Sequence, residues 1–251
     1  MDTTSPWSLK TASGHEKAGG VVYIVPEPEP VEANVRFFTR RGGVSEPPFD
    51  TLNVSVKVGD DREAVTENIG RIKDALEVSS SAWVQQVAGD DVIRVDKAGL
   101  AGRADALITG EENLALAVAV ADCVPVALVG EREVGMVHSG WRGTLSGIAG
   151  KTVQEMGGSE ARAYIGPCIR RCCYEVSEEL AEEFAGWFGS DVVTGRNLSL
   201  PAAITTNLQE CGVEEVHDLG LCTGCRPDLF YSHRREGPLT GRSLASVVKV
   251  S

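Results

Sequence analysis

The chain is poor in the features that mark several large classes of protein. Its most apolar stretch, Leu114 to Ala121, ends after eight residues at Asp122, so no membrane span is expected. The opening MDTTSPWSLK carries Asp2 and lacks an apolar core of signal-peptide length, so no export signal is expected either. Bases are scarce: 24 Lys and Arg against 36 Asp and Glu leave a net charge of -12. Such a surface repels phosphate backbones and anionic lipid, which argues against nucleic acid and membrane partners. Histidine is rarer still, with four residues at 15, 138, 217 and 233.

What is present describes a globular chain of 251 residues with 42% apolar residues, enough for a sizeable core. Seven cysteines lie at 123, 168, 172, 173, 211, 222 and 225. An odd count without an export signal argues against a secreted disulfide framework and for a reducing, cytoplasmic compartment.

Residues 1–20 show no periodicity and are expected to be a loose leader, followed by one α/β domain over 21–251. Apolar runs predict strands at Val21–Val25, Val35–Thr39, Trp83–Val87, Asp91–Val95, Ala104–Thr109 and Leu114–Val120, then Val126–Val129, Val134–Val137, Ala161–Ile165 and Val213–Asp218. Val65, Ile69, Ile72 and Leu76 recur at helical spacing after Asp61 and predict a helix over 62–77. Further helices are expected at 144–156, 178–188 and 201–211, the last capped by Ser199. The irregular alternation, with hairpins between helices, predicts a single α/β domain of layered mixed sheets flanked by helices.

Cys123 follows the buried run at 114–120, and His138 closes the next hairpin in His138-Ser139-Gly140-Trp141-Arg142-Gly143. Adjacent strand ends bring a thiol and an imidazole together as two zinc ligands, as a nucleophile with its base, or as a buried cysteine beside a hydrogen-bonded histidine. Arg142 stands at a helix start and reads as an anion contact or as a surface ion pair. Cys222-Thr223-Gly224-Cys225 resembles half a zinc ribbon, with Cys168, Cys172 and Cys173 as the other half; the loose spacing favours plain packing. His233, Arg234, Arg235 and Arg242 gather bases near the end of an acidic chain.

Taken in order, several segments resemble one family. They are Thr39-Arg40-Arg41-Gly42-Gly43, Leu52-Asn53-Val54, Ala104-Asp105-Ala106-Leu107, Ala121-Asp122-Cys123-Val124-Pro125 and the His138 segment. Ile165-Gly166-Pro167-Cys168, Cys173-Tyr174-Glu175-Val176, Tyr231-Ser232-His233-Arg234 and Thr240-Gly241-Arg242 continue the series. The chain resembles the laccase-domain, or polyphenol oxidase-like, proteins associated with purine nucleoside phosphorylase activity. The resemblance implies a fold like the catalytic domain of the cytotoxic necrotizing factor toxins, with a purine nucleoside and phosphate as substrates.

It also implies a zinc site built from a histidine in Gln-x-His-Gly, the cysteine of Ala-Asp-Cys and the histidine of His-Ala-Gly-Trp-Arg-Gly. Two ligands carry over, as Cys123 and His138. The third does not, because Gln86-Val87-Ala88-Gly89 has Ala88 where the histidine belongs. A methyl group ligates nothing, so a weakened zinc site is expected. Arg142 and Arg40 are then expected at phosphate and Asn53 at the nucleoside, with adenosine deamination as a side activity. A metal-free Cys123/His138 hydrolase or deamidase and a non-catalytic member with a decayed site are the alternatives. Copper is not expected, because four histidines cannot furnish a multicopper cluster.

Overall fold

The structure, a computed structural model, describes residues 5–12, 20–157 and 160–250. In chain order, β1 (Trp7–Ala12), β2 (Val21–Pro26) and β3 (Ala33–Phe38) precede α1 (Arg62–Leu76). Then come β4 (Ser80–Gln85), β5 (Val92–Arg94), β6 (Gly99–Arg103), β7 (Ala106–Thr109), β8 (Leu114–Val120), β9 (Val124–Val129) and β10 (Val134–Ser139). The helices α2 (Trp141–Leu145) and α3 (Ile148–Glu155) lead to β11 (Arg162–Ile165), α4 (Glu178–Phe188), β12 (Val193–Thr194) and β13 (Asn197–Leu198). The chain ends with α5 (Leu200–Glu210), β14 (Val216–Asp218), α6 (His233–Glu236) and β15 (Ser243–Lys249).

Two mixed sheets stack face to face. One has seven strands in the order β1-β2-β3-β15-β8-β4-β6, the other six in the order β14-β11-β9-β10-β7-β5. Between them Ile24, Val35, Phe37, Leu116, Val118 and Val247 meet Ala127, Val129, Val134, Met136 and Tyr164. The period-two pleat sends alternate residues the other way. Val124, Val126 and Leu128 thus face Ile148, Phe184, Leu200 and Ile204 of the helices, while Ala115 and Val248 face Ile72 and Leu76 of α1. The result is four layers, helix on sheet on sheet on helices. No helix among the described residues is long and apolar enough to cross a membrane.

Local chemistry explains most boundaries. Asp61 caps α1 by accepting from the Ala64 N–H, Ser177 caps α4, and Ser199 caps α5. The helix expected over 144–156 is instead two, because Gly147 takes φ 69° and ends the first. The leader expected over 1–20 is corrected at Trp7–Ala12, which pairs with β2 residue for residue; the rest of it, with His15, is outside the described residues except 5, 6 and 20. β6 and β15 were not expected at all.

Leu116 lies fully buried in the middle of β8, so Leu116→Ala is expected to cost about 2–5 kcal/mol in urea unfolding. Leu100→Ala, at an exposed position of β6, should leave the midpoint nearly unchanged.

Candidate active centre and cysteine cluster

β9 and β10 pair antiparallel, with His138 opposite Pro125 and Ser139 opposite Val124. This register sets Cys123, one residue before β9, beside the end of β10. A Cβ added at Gly140 would come within 3.2 Å of Cys123 Sγ, so the turn after His138 runs close against the thiol. The sulfur acts on the buried His138 imidazole as a hydrogen-bond and charge partner. Sequence reasoning paired these two, and the fold brings them together.

Behind the imidazole lies Asp105, fully buried. Its Oδ1 is 2.7 Å from His138 Nδ1, and its Oδ2 accepts the N–H groups of Val87 at 3.1 Å and Gly89 at 2.7 Å. An ionised carboxylate only accepts, so Nδ1 carries the proton and Nε2 is left for the cysteine side. Burial alone raises the Asp105 pKa, but the bonds from His138 and Gly89 outweigh it and hold the carboxyl below its ordinary value. For His138, burial opposes the charged form, yet its interactions with Cys123 and Asp105 prevail and raise it to about 9.

The same carboxylate carries the loop holding Ala88. That residue sits between the two amides that Asp105 binds and has φ 58°. The Gly89 carbonyl lies 3.1 Å from the position of a Cβ on Gly143 in α2, so this loop runs beside the start of that helix. The segment matched to the missing ligand therefore belongs to the same centre, with a methyl group in place of a donor.

Asp122, preceding the cysteine, has φ 88°, a strained conformation for a residue with a side chain. Two stretches of chain hold it there. Its Oδ1 accepts from Thr223 Oγ1 at 2.6 Å, its Oδ2 from the Arg234 N–H at 2.6 Å, and its carbonyl from the Ile169 N–H at 2.9 Å. With both oxygens engaged, Asp122 clamps these segments to the residue before Cys123.

Arg142 is exposed, lies 4.1 Å from the Trp141 ring centroid, and has no carboxylate partner among the described residues. Arg40 and Asn53 are corrections. Arg40 donates to Asp50, Pro227 and Glu236 and stacks 4.6 Å from the Tyr231 ring centroid. Asn53 is fully buried; its amide nitrogen donates to Ser55 O and Asp60, and its oxygen accepts from Ser55 and Arg242 N–H groups. Asn53 has no donor to spare for a ligand, and Arg40 has four of its five N–H groups bound within the fold. His217 stacks on Tyr164 at 4.9 Å, away from the centre, and His233 opens α6 at the surface.

Tyr174 and Arg242, both in the family-like segments, lie in the electrostatic range of Cys123, and burial lowers the Arg242 pKa against the pull of Cys123 and Asp122. Asp105 carried a signal, an isolated acid between two alanines. Arg242 also lines a cavity of about 850 Å³ with Val54, Lys57, Trp83, Gln86 and Leu239.

The cysteine reading is corrected too. Cys172, Cys173, Cys222 and Cys225 place their sulfurs within 4.8 Å of one another, whereas Cys168 lies buried apart from this group. They are not scattered packing residues.

Fold and centre together define a layered α/β protein with a thiol, an imidazole and a carboxylate in line at one hairpin. Residues 34–250 match the family described as multi-copper polyphenol oxidoreductase laccase, and the chain belongs to that family. It is 39% identical over 225 residues to the purine nucleoside phosphorylase Rv2149c of Mycobacterium tuberculosis, covering 84% of this chain and 89% of the relative. It is 33% identical over 245 residues to the purine nucleoside phosphorylase YlmD of Geobacillus stearothermophilus, covering 83% and 87%. The crystal structure of YlmD from Geobacillus stearothermophilus matches with a TM-score of 0.85 at 30% identity, over 95% of this chain and 98% of that one.

Glu236, which fixes Arg40, supplies a pH test. Burial raises its pKa, but bonds from Thr240, Arg235, the Ser232 N–H and Arg40 outweigh it and hold the carboxyl at about 2, below its ordinary 4.5. The folded state binds its proton less readily than the unfolded state, so this stabilisation is full above pH 4.5 and is lost as pH falls towards 2. Glu236→Gln is expected to lower stability at pH 7 and to flatten the slope of unfolding free energy across that window, read by urea titration.

Proposed function

We propose that the chain is a purine nucleoside phosphorylase acting at the Cys123–His138 centre. The relatives' names point to this chemistry. The observation that carries it to this chain is the imidazole, held by Asp105 with Nε2 towards Cys123, in a region that also offers the unpaired Arg142.

In phosphorolysis a phosphate oxygen bonds to C1′ of the nucleoside as the C1′–N9 bond breaks. The bonding pair leaves with the purine, which takes up a proton, and the products are free base and ribose 1-phosphate. Arg142 draws the phosphate, with Arg234 and Arg242 adding positive field on the Cys123 side. His138, with its orientation fixed from behind, hydrogen-bonds the departing purine through Nε2. Adenosine deamination belongs to this reading as a side activity of the same site.

Catalytic zinc normally has three protein ligands and an open position. Cys123 and His138 supply two donors and Ala88 none, so the donor set falls one short and the roles above rest on protein groups alone. A second reading follows from the line Cys123, His138, Asp105, the order of nucleophile, base and orienting acid in thiol hydrolases. In that case the Cys123 sulfur bonds to the carbonyl carbon of an amide or ester as its C–N or C–O bond breaks, the amine or alcohol leaves with a proton from His138, and water then releases the acid.

Incubation with inosine, with and without phosphate, separates the two. Base release that requires phosphate and yields ribose 1-phosphate supports phosphorolysis, and His138→Ala should then slow turnover by about 10²-fold or more. Inosine left intact with phosphate present, while a p-nitrophenyl ester is hydrolysed without phosphate in a reaction abolished by iodoacetamide at Cys123, supports the thiol enzyme and overturns the first reading.

Ala88→His tests the missing donor. Histidine is several-fold enriched at positive φ, and the loop at φ 58° is already held by Asp105, so the ring enters without refolding the segment. The zinc affinity of the Cys123–His138 centre should rise about 10–100-fold, with faster base release at limiting zinc. A variant that binds zinc yet stays inert favours a non-catalytic member.

A further inference from the structure

We propose that Cys172, Cys173, Cys222 and Cys225 bind one zinc ion as a structural tetrathiolate, separate from the Cys123–His138 centre, that staples the loop at 170–175 to the loop at 222–235. The four sulfurs all lie within 4.8 Å of one another. Cys172 is 3.5 Å from both Cys222 and Cys225, and Cys173 is 3.5 Å from Cys225. Zinc–sulfur bonds of about 2.3 Å span a tetrahedron with edges of about 3.8 Å, close to these separations. The contacts are shared among all four sulfurs and do not resolve into two pairs, which is the pattern of a common ligand.

The backbone is shaped for this convergence. Consecutive residues of a strand point to opposite faces, but Cys172 and Cys173 lie in a turn closed by the Cys173 N–H on the Arg170 carbonyl at 2.8 Å, so both reach one point. Opposite them, Cys222-Thr223-Gly224-Cys225 folds as a knuckle. The N–H groups of Arg170 and Cys225 both donate to the Cys222 sulfur, the arrangement that supports a metal-bound thiolate. A Cβ at Gly224 would lie 2.9 Å from Cys173 Sγ, so this position has to be glycine for the two halves to close. The two loops are registered by a bridge between Cys168 and Cys222, in which the Thr223 N–H donates to the Cys168 carbonyl at 3.0 Å. Cys168 sets the register without joining the cluster. Four soft sulfur donors in tetrahedral reach, with no oxygen donor among them, suit zinc rather than a hard cation.

The ion would steady the active centre from behind. Thr223, inside the knuckle, holds Asp122 Oδ1, and Arg235 donates to the carbonyls of Thr223 and Gly224. Arg234 reaches the Glu175 carbonyl from the other loop. Asp122 in turn precedes Cys123. The proposal nonetheless stands without any assignment of chemistry to Cys123.

The test uses the full chain, expressed with ample zinc and purified under reducing, chelator-free conditions. Elemental analysis of a Cys123→Ser/His138→Ala variant should still find about one zinc per chain, and Cys172→Ser/Cys225→Ser should lose it, with a lower Tm. Replacement of zinc by Co(II) in the Cys123→Ser/His138→Ala protein should give the intense visible bands of a tetrahedral cobalt tetrathiolate, a readout that does not depend on whether the serine variant folds. No metal in the Cys123→Ser/His138→Ala protein would overturn the proposal. So would an intact mass showing the four cysteines joined in disulfides, or a cobalt spectrum without sulfur charge-transfer bands.

Discussion

One buried carboxylate organises the centre. Asp105 stands where β7 begins, takes the loop after β4 through two amides, and takes the end of β10 through the His138 ring, while its own carbonyl accepts the His138 N–H at 2.7 Å. An ionised acid in an apolar interior is tolerable only when its lone pairs are filled, and here they are filled by groups from both neighbouring segments. The requirement runs in both directions: the segments satisfy the charge, and the charge fixes their separation. The imidazole orientation and the position of residue 88 therefore follow from a single constraint.

Asp122 does the same for the outer loops. Its strained backbone is held by Thr223 and Arg234 from one stretch of chain and Ile169 from another. Around it the arginines divide into two kinds. Arg40, Arg170 and Arg235 are spent on carboxylates and carbonyls within the fold, whereas Arg142 keeps its guanidinium at the surface beside Trp141. Positive charge near the centre is thus mostly scaffold, and the part left for an anion is small and local.

Much of this was legible from the sequence, for definite reasons. β8 and the β9–β10 hairpin show uninterrupted apolar runs because both faces are covered, and α1 shows its stripe because only one face is. β15 was hidden because Ser243 and Ser246 interrupt its pattern although both are buried. β1 was hidden because its alternation is weak at a sheet edge. Cys123 and His138 could be paired from strand order, but the partners that hold Arg40 and Asn53 within the fold could not be read, since they lie up to 196 residues away in the chain. The cysteine motifs located the right segments; only the fold shows that Cys168 stays outside and that Cys172 and Cys173 turn together.

The placement of β15 bears on how the molecule is made. The large sheet has β15 between β3 and β8, hydrogen-bonded to both, although it is the last strand in sequence order. Until residues 243–249 leave the ribosome, β3 and β8 flank a gap, each with an unsatisfied edge and an uncovered apolar face. Pairing of β15 on both sides thus closes the large sheet, and the two parts of the sheet that it joins depend on one strand far from either of them in sequence.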